Sequence, residues 1–316
     1  MVDLSVRVGT LALKNPVMPA SGCFAFEYAA AVDFNRLGAL VTKSVTPKKR
    51  IGNPTPRVAE TSAGMLNSIG IPSHGLDYYV QKALPHYQGY DTPLVASVSA
   101  DTADEFAEAC ERLSVPGVAA IEANISCPNL EADGQAFAMS PRDTFKAVSA
   151  IRRRTRVPVW AKLTPNAIHI AEIARAAEEA GADALVVANT ILAMAIDVES
   201  WKPKLGNIMG GYSGPAIKPI VVRMVFQAAR AVNIPVVGCG GIQTGEDVVE
   251  YLLAGATAVQ VGTASFLDPA AMARILVELE RYCETHGIAR AAELTGKVRI
   301  DPQLTDRWLR FAQQSG

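Results

Sequence analysis

The chain has 316 residues, 49% hydrophobic and 19% charged, with 30 Lys and Arg against 31 Asp and Glu for a formal net charge of −1. That apolar content supplies a large core and excludes a disordered chain, and the charge balance excludes the broad basic footprint of a nucleic-acid or anionic-membrane binder. The longest uncharged run, 251–267, is interrupted by Gly255, Thr257, Gln260, Gly262 and Ser265 and makes a poor membrane span. Asp3 and Arg7 fall where a secretory signal needs an unbroken apolar stretch, so a cytoplasmic protein is expected.

Short apolar runs alternate with amphipathic ones along the whole chain. In order, strands are expected at 16–20, 39–43, 93–97, 118–124, 158–163, 183–189, 235–239 and 257–262. Their hydrophobicity is continuous rather than alternating, which suits strands covered on both faces of a parallel sheet. Between them, 101–113 opens with a cap-like Asp-Thr-Ala-Asp segment, and Pro141–Arg154 has proline in its first turn after Ser140. The runs 168–180 and 244–254 stop at Gly181 and Gly255, each a C-terminal glycine leading into a buried strand. Eight such units predict a (β/α)8 TIM barrel, with a doubly wound open sheet as the alternative. Three connections, about 44–75, 125–141 and 190–215, are long; such loops are usually functional or lid-like.

The five cysteines include no C-x-x-C pair, and the four histidines are scattered, so no metal site is expected in this chain. In a barrel the chemistry sits at the C-terminal ends of the strands. Those ends are Ala20-Ser21-Gly22, Lys43-Ser44, Ser97, Asn124 through Asn129, Lys162, Asn189-Thr190, Gly238 through Gly241, and Gly262-Thr263. The glycines after the seventh and eighth strands occupy the usual phosphate position of the fold, where backbone N–H groups can approach an anion. Lys43 and Lys162 close apolar strands and call for a negative partner. A flavin mononucleotide offers one: its phosphate, its ribityl hydroxyls and an N1–C2=O edge that a nearby cation stabilises on reduction. Asn67, Asn124, Asn129 and Asn189 suit a flat ring bearing alternating N–H and C=O groups, provided that the loop carrying Asn67 reaches the mouth. Cys127 lies between amides with no histidine near it in sequence, which suits a base better than a nucleophile; 134–140 is the candidate lid over it. Tight turns, snorkelling lysines and ordinary turn asparagines explain each feature singly. They explain less well why all of them fall at one end of the strands.

The segments NPVMPASG, TKSVT, GNPTPRVAET with GMLNSIG, NISCPN, AKLTPN, ANT, GGYSGPAIKP, GCGGI and VGTA occur in this order over nearly the whole chain. Together they resemble the class 1B dihydroorotate dehydrogenases in their catalytic subunit. NISCPN with GMLN is the specific part; the glycine segments are shared by many flavin barrels. The resemblance implies a single FMN-binding barrel domain over 1–316 that oxidises (S)-dihydroorotate to orotate in pyrimidine biosynthesis. It implies that Cys127 takes the C5 proton while a hydride leaves C6 for flavin N5. It assigns Lys43, Asn67, Ser68, Ile69, Gly70, Ile71, Asn124, Asn129, Asn189 and Thr190 to the substrate. It assigns Ser21, Lys43, Ser44, Asn124, Lys162, Ala188, Gly214, Gly240, Gly241, Gly262 and Thr263 to FMN. It further implies a homodimer associated with a second subunit carrying FAD and a [2Fe–2S] cluster, with NAD as final acceptor.

Three places depart from the family pattern. Ser97 stands where relatives usually carry an asparagine, NSIGIPSHG replaces the usual NAIGLQNPG, and SGCFAFEY is shortened. These departures bear on the acceptor and on substrate preference more than on the core chemistry. The competing readings are a dihydropyrimidine dehydrogenase-type enzyme, a class 1A-like enzyme linked to fumarate, and a flavin- or phosphate-binding scaffold without turnover.

Overall fold

The computed structural model describes residues 2–127, 136–301 and 304. All eight expected strands form, within a residue or two of the expected ranges: Val17–Pro19 (β1), Leu40–Val41 (β2), Leu94–Val98 (β3), Ala120–Ala123 (β4), Val159–Lys162 (β5), Ala184–Val187 (β6), Val236–Cys239 (β7) and Ala258–Val261 (β8). They are parallel, and the sheet runs β1-β8-β7-β6-β5-β4-β3-β2, which is chain order followed around a ring. The remaining seam, between β1 and β2, is tied where Gly38 N–H donates to Val17 O at 2.9 Å. A β-carbon at position 38 would stand 2.1 Å from Asn15 O, so only glycine lets the two segments approach. The order has no reversal point, which separates this (β/α)8 barrel from the doubly wound alternative.

Successive side chains on a strand face opposite ways, and the barrel interior follows from that. One buried cluster contains Met18, Val41, Val95, Ala120, Trp160, Ala184, Val186, Val237 and Ala258, with Trp160 supplying bulk among alanines. Two residues further along their strands stand Ser97, Glu122, Lys162 and Gln260, all buried. The interior is therefore apolar below and polar toward the C-terminal ends. A hairpin that the sequence reading did not anticipate, Val6–Val8 with Leu11–Leu13, places Val6, Val8 and Leu13 in the apolar cluster and plugs the bottom. The second cluster packs the outer strand faces against the helices.

The helices begin where side-chain oxygens can satisfy their free N–H groups. Thr102 accepts from Glu105 N, Ser140 from Asp143 N, and Thr244 from Asp247 N, with Asp247 accepting from Thr244 N in return. Gly181 and Gly255 take positive φ at the helix ends, as expected. Among the described residues, no helix is long and apolar enough to cross a membrane.

Two of the long connections carry strands, where the sequence reading expected loops. Ile191–Ala193, Gly210–Ser213, Gly64–Asn67 and Val58–Thr61 form one antiparallel sheet in that order, and Ile196–Asp197 pairs with Lys202–Pro203. The connections after β2 and β6 thus stabilise each other by pairing. In the third connection 128–135 lies outside the described residues, which takes Asn129 and the start of the expected lid with it; Ala138 N–H donates to Ile125 O at 3.0 Å beyond that gap.

Candidate active site

The end of β4 builds the centre of the mouth. Asn124 is buried, and its amide is used on both sides. Nδ2 donates to Ser44 Oγ at 3.3 Å; Oδ1 accepts from Ser126 Oγ at 2.5 Å and from the Cys127 thiol at 3.7 Å. From the end of β6, Asn189 Nδ2 donates to Ser126 Oγ at 2.6 Å and lies 3.4 Å from Asn124 Oδ1 and 4.0 Å from Cys127 Sγ. Asn189 Oδ1 accepts from Thr190 N at 2.8 Å. Of the four asparagines expected to converge, Asn124 and Asn189 meet here, beside Cys127; Asn129 lies outside the described residues.

Asn67 arrives by way of the antiparallel sheet. Its Nδ2 donates to Gly211 O at 3.2 Å, and Gly211 pairs with it in register. A β-carbon on Gly211 would fall 1.9 Å from Thr190 Oγ1, so Thr190 packs on the same backbone that holds Asn67. The pairing between the two long connections is therefore what carries Asn67 toward Asn189. The following segment is clasped by 50–57: Ser68 N–H donates to Arg57 O at 2.8 Å, Ser68 Oγ accepts from Asn53 Nδ2 at 2.8 Å, and Asn53 N–H donates to Ile69 O at 3.1 Å. Gly70 and Ile71 both take positive φ, 74° and 46°. A β-branched residue held there is strained, and such strain clusters at binding segments.

Lys162 is 2% exposed, with Nζ donating to Ser21 Oγ at 3.1 Å and to Gln260 Oε1 at 3.0 Å, and with Glu122 Oε1 at 3.7 Å. Burial works against its ammonium, but neighbouring groups, Cys239 and Glu122 first among them, carry it above the ordinary lysine value. Cys239 is among those neighbours, yet burial pushes its own thiol up and keeps it neutral; Glu122 is the charge that holds Lys162. Lys43 is half-buried, and burial lowers it. Burial pushes Cys23 up to about 12. Cys127 is also raised by burial, but Asn124, the charges of Lys162 and Arg50, and Asn189 oppose the rise. Arg50 is held there by an ion pair with Asp101 and by backbone pairing with Ser73.

The expected flavin fits these residues. Gly214, Gly240 and Gly241 all take positive φ, and a β-carbon on Gly241 would lie 2.9 Å from Gly214 O and 2.8 Å from Lys218 Cβ. The turn before the helix Lys218–Ala229 and the turn after β7 thus meet backbone to backbone as a cradle, with Lys218 Cβ packed against Gly241. Thr263, after β8, donates from Oγ1 to Ser213 Oγ at 2.9 Å and so joins the same corner. Lys218 braces the cradle from behind through ion pairs to Asp247 and Glu250, both at 2.6 Å. Ala188 N–H donates to Cys239 O at 3.0 Å, and Ser44 Oγ is 2.8 Å from Ser97 Oγ. A phosphate end, a cationic end and an amide-and-thiol wall are the parts a flavin beside a heterocyclic substrate requires.

Reading only the strand ends includes Ser126 within 124–129 but gives it no role, and misses Glu122 and Gln260. The signal for Glu122 was present. It is an acid inside an apolar strand, two residues before Asn124 and so on the same face.

The family model described as Dihydroorotate dehydrogenase matches residues 3–283. The chain is similar to a protein of Geobacter sulfurreducens described as dihydroorotate dehydrogenase B (NAD(+)), catalytic subunit. The two are 48% identical over 301 residues, covering 94% of this chain and 99% of the relative. Proteins of the same description from Anoxybacillus flavithermus and Trichlorobacter lovleyi are 47% and 49% identical. Those matches cover 94% and 93% of this chain, and 96% and 98% of the relatives.

Proposed function

The chain belongs to the dihydroorotate dehydrogenase family, and from that premise we propose that it oxidises (S)-dihydroorotate to orotate in pyrimidine biosynthesis. The observation that carries the reading is the meeting of Cys127 with Asn124 and Asn189, at 3.7 and 4.0 Å, above the buried Lys162. Cys127, as thiolate, removes the proton from C5. FMN, when bound, supplies the acceptor for the hydride that leaves C6, so that C5 and C6 become doubly bonded. As a thiol, Cys127 donates to Asn124 Oδ1; as a thiolate it turns acceptor, and Asn189 Nδ2 is the donor within reach. The charges of Lys162 and Arg50 favour that anion.

Asn67, Asn124, Asn129, Asn189 and Thr190 hold the ring amides. Lys43 touches both substrate and flavin, and the backbone of Ser68, Ile69, Gly70 and Ile71 faces the carboxylate. Ser21, Ser44, Lys162 and Ala188, with Asn124, line the flavin ring and ribityl, and Gly214, Gly240, Gly241, Gly262 and Thr263 take its phosphate. The description of the relatives as catalytic subunits supports a partner. We assign to that partner the FAD and [2Fe–2S] groups that pass electrons to NAD.

The connection after β6 supports a second copy of this chain on one face. From Ile191 to Val198 exposure alternates strictly, and the outward residues are Leu192, Met194, Ile196 and Val198. Trp201, 88% exposed, and Ile208 and Met209 extend the patch. Alternation that turns the large apolar residues outward marks an interface, and a two-fold contact between identical patches covers it on both copies. Trp201→Asp combined with Val198→Asp is expected to convert a dimer to a monomer in sedimentation velocity. A wild-type chain that sediments as a monomer removes the assignment.

The function is tested by mixing the purified yellow chain with dihydroorotate in the absence of oxygen. The reading expects the flavin band to bleach with dihydroorotate and to persist with dihydrouracil, which lacks the carboxylate. Bleaching by dihydrouracil alone replaces it with the dihydropyrimidine dehydrogenase-type reading, and a protein that binds no FMN after reconstitution replaces it with the scaffold.

A further inference from the structure

Beneath the mouth lies a buried carboxylate that no step above uses. Glu122, Ser97 and Gln260 are each 0% exposed, and Lys162 is 2% exposed. Glu122 Oε2 accepts from Gln260 Nε2 at 2.6 Å, and Oε1 accepts from Ser97 Oγ at 3.0 Å and faces Lys162 Nζ at 3.7 Å. Gln260 closes the ring by accepting from Lys162 Nζ at 3.0 Å. Desolvating a carboxylate this deeply is costly, and no neighbour leads it toward the substrate directly.

The hydrogen-bond directions show what the carboxylate does. A carboxylate only accepts. Ser97 must therefore spend its one hydroxyl proton on Glu122, and in its 2.8 Å contact with Ser44 it can only accept. Ser44 in turn spends its proton on Ser97, so it must accept from Asn124 Nδ2 at 3.3 Å. This fixes which end of the Asn124 amide points down. Oδ1 is left facing Ser126, Cys127 and Asn189, all of which present donors. Register places the first link without slack, since Ser97 and Glu122 are direct partners on β3 and β4.

We propose that Glu122 is a positioning residue with two outputs: it is the counter-ion that keeps the Lys162 ammonium charged and aimed at the flavin, and through Ser97 and Ser44 it sets the orientation of the Asn124 amide beside Cys127. The proposal rests on the dihydroorotate reading above for its substrate-side output only. Its flavin-side output stands on the Lys162 pair. Ser97 is the link that separates the two.

The test uses Glu122→Gln and Ser97→Ala in the full chain. Each is measured for FMN affinity of the apo-protein by fluorescence titration and for kcat and KM of flavin reduction by dihydroorotate, with circular dichroism to confirm folding. Glu122→Gln is expected to weaken FMN binding about tenfold or more, because Lys162 is left as an unpaired buried charge. Ser97→Ala keeps the Glu122–Lys162 pair. It is expected to raise KM by about fivefold to tenfold, the worth of one misdirected hydrogen bond, while FMN affinity, to which Ser44 and Asn124 also contribute, falls by less than KM rises. Unchanged FMN affinity in folded Glu122→Gln overturns the counter-ion role. Unchanged KM in Ser97→Ala overturns the relay, and so does a KM increase matched by an equal loss of FMN affinity. Should Glu122→Gln fail to fold, the split in Ser97→Ala decides the relay, and Glu122→Asp, which draws the carboxylate back from Lys162, decides the counter-ion role by the same FMN titration, unchanged affinity overturning it. If wild type itself is not reduced by dihydroorotate, the parent reading fails, and the FMN titrations still judge the Lys162 pair.

Discussion

Replacing Cys127 with alanine is expected to slow flavin reduction by dihydroorotate by on the order of 10²- to 10⁴-fold, the usual contribution of a positioned general base. FMN affinity is expected to be kept, because Cys127 bonds to the amides of Asn124 and Asn189 and is not among the residues assigned to FMN. The pH dependence gives the sharper check. Burial raises the thiol above its ordinary value, so only a small fraction is thiolate near neutrality. The base is the deprotonated form. The rate in wild type is therefore expected to climb with pH, by roughly tenfold per unit while the thiol remains protonated, and to level only above the ordinary cysteine range. Cys127→Ser keeps a hydroxyl near Asn124 Oδ1, but a hydroxyl gives up its proton far less readily. Its rate should start lower than wild type and still be climbing where wild type has levelled. Anaerobic stopped-flow traces across about pH 6 to pH 10 resolve these profiles. A flat wild-type profile, or an alanine variant as fast as wild type, removes Cys127 from the chemistry.

How much of this was legible depended on whether the signal was local. The strands β1 to β8 announced themselves as short apolar runs, and Pro141–Arg154 lay where Ser140 and its proline put it. The residues at the strand ends could be named as a site because the barrel fixes where such ends go. The antiparallel sheet beside the mouth was not legible. Gly210–Ser213 is half glycine and has no strand propensity of its own. It becomes a strand by pairing with Gly64–Asn67 and Ile191–Ala193, and the first of these partners is distant in sequence. Asn67 is therefore carried toward Thr190 by a long-range pairing that no local signal announces. The N-terminal hairpin is a different case. Val6–Val8 and Leu11–Leu13 flank Gly9 and Thr10, and glycine at the first turn position is a recognised hairpin signal; the reading passed over it in favour of longer runs. Glu122 is hidden from a reading of strand ends because it faces inward two positions before Asn124.

The second large effect concerns the cradle. Gly241→Ala is expected to lower FMN affinity by on the order of 100-fold, equivalent to losing one or two charge-assisted bonds from backbone N–H to phosphate. The added methyl would meet Lys218 Cβ at 2.8 Å, Gly214 O at 2.9 Å and Lys218 N at 3.0 Å, so either the turn after β7 or the start of the helix Lys218–Ala229 must retreat. Neither retreats freely, because Lys218 is tied to Asp247 and Glu250 on the next helix. Part of the damage is conformational, since Gly241 sits at φ 72°. Gly287→Ala controls for that part. Gly287 has φ 66°, nothing lies within 4 Å of its added methyl, and it follows the helix Ala271–Thr285, remote in sequence from the cradle. Both variants should lose about 1 kcal/mol of stability from the backbone alone, read as urea midpoints without cofactor. Only Gly241→Ala should come off the column pale, with FMN titrating back weakly. Equal FMN affinity in the two variants would place the phosphate elsewhere, because a cradle built from the approach of two backbone turns cannot tolerate a methyl between them and still hold its anion.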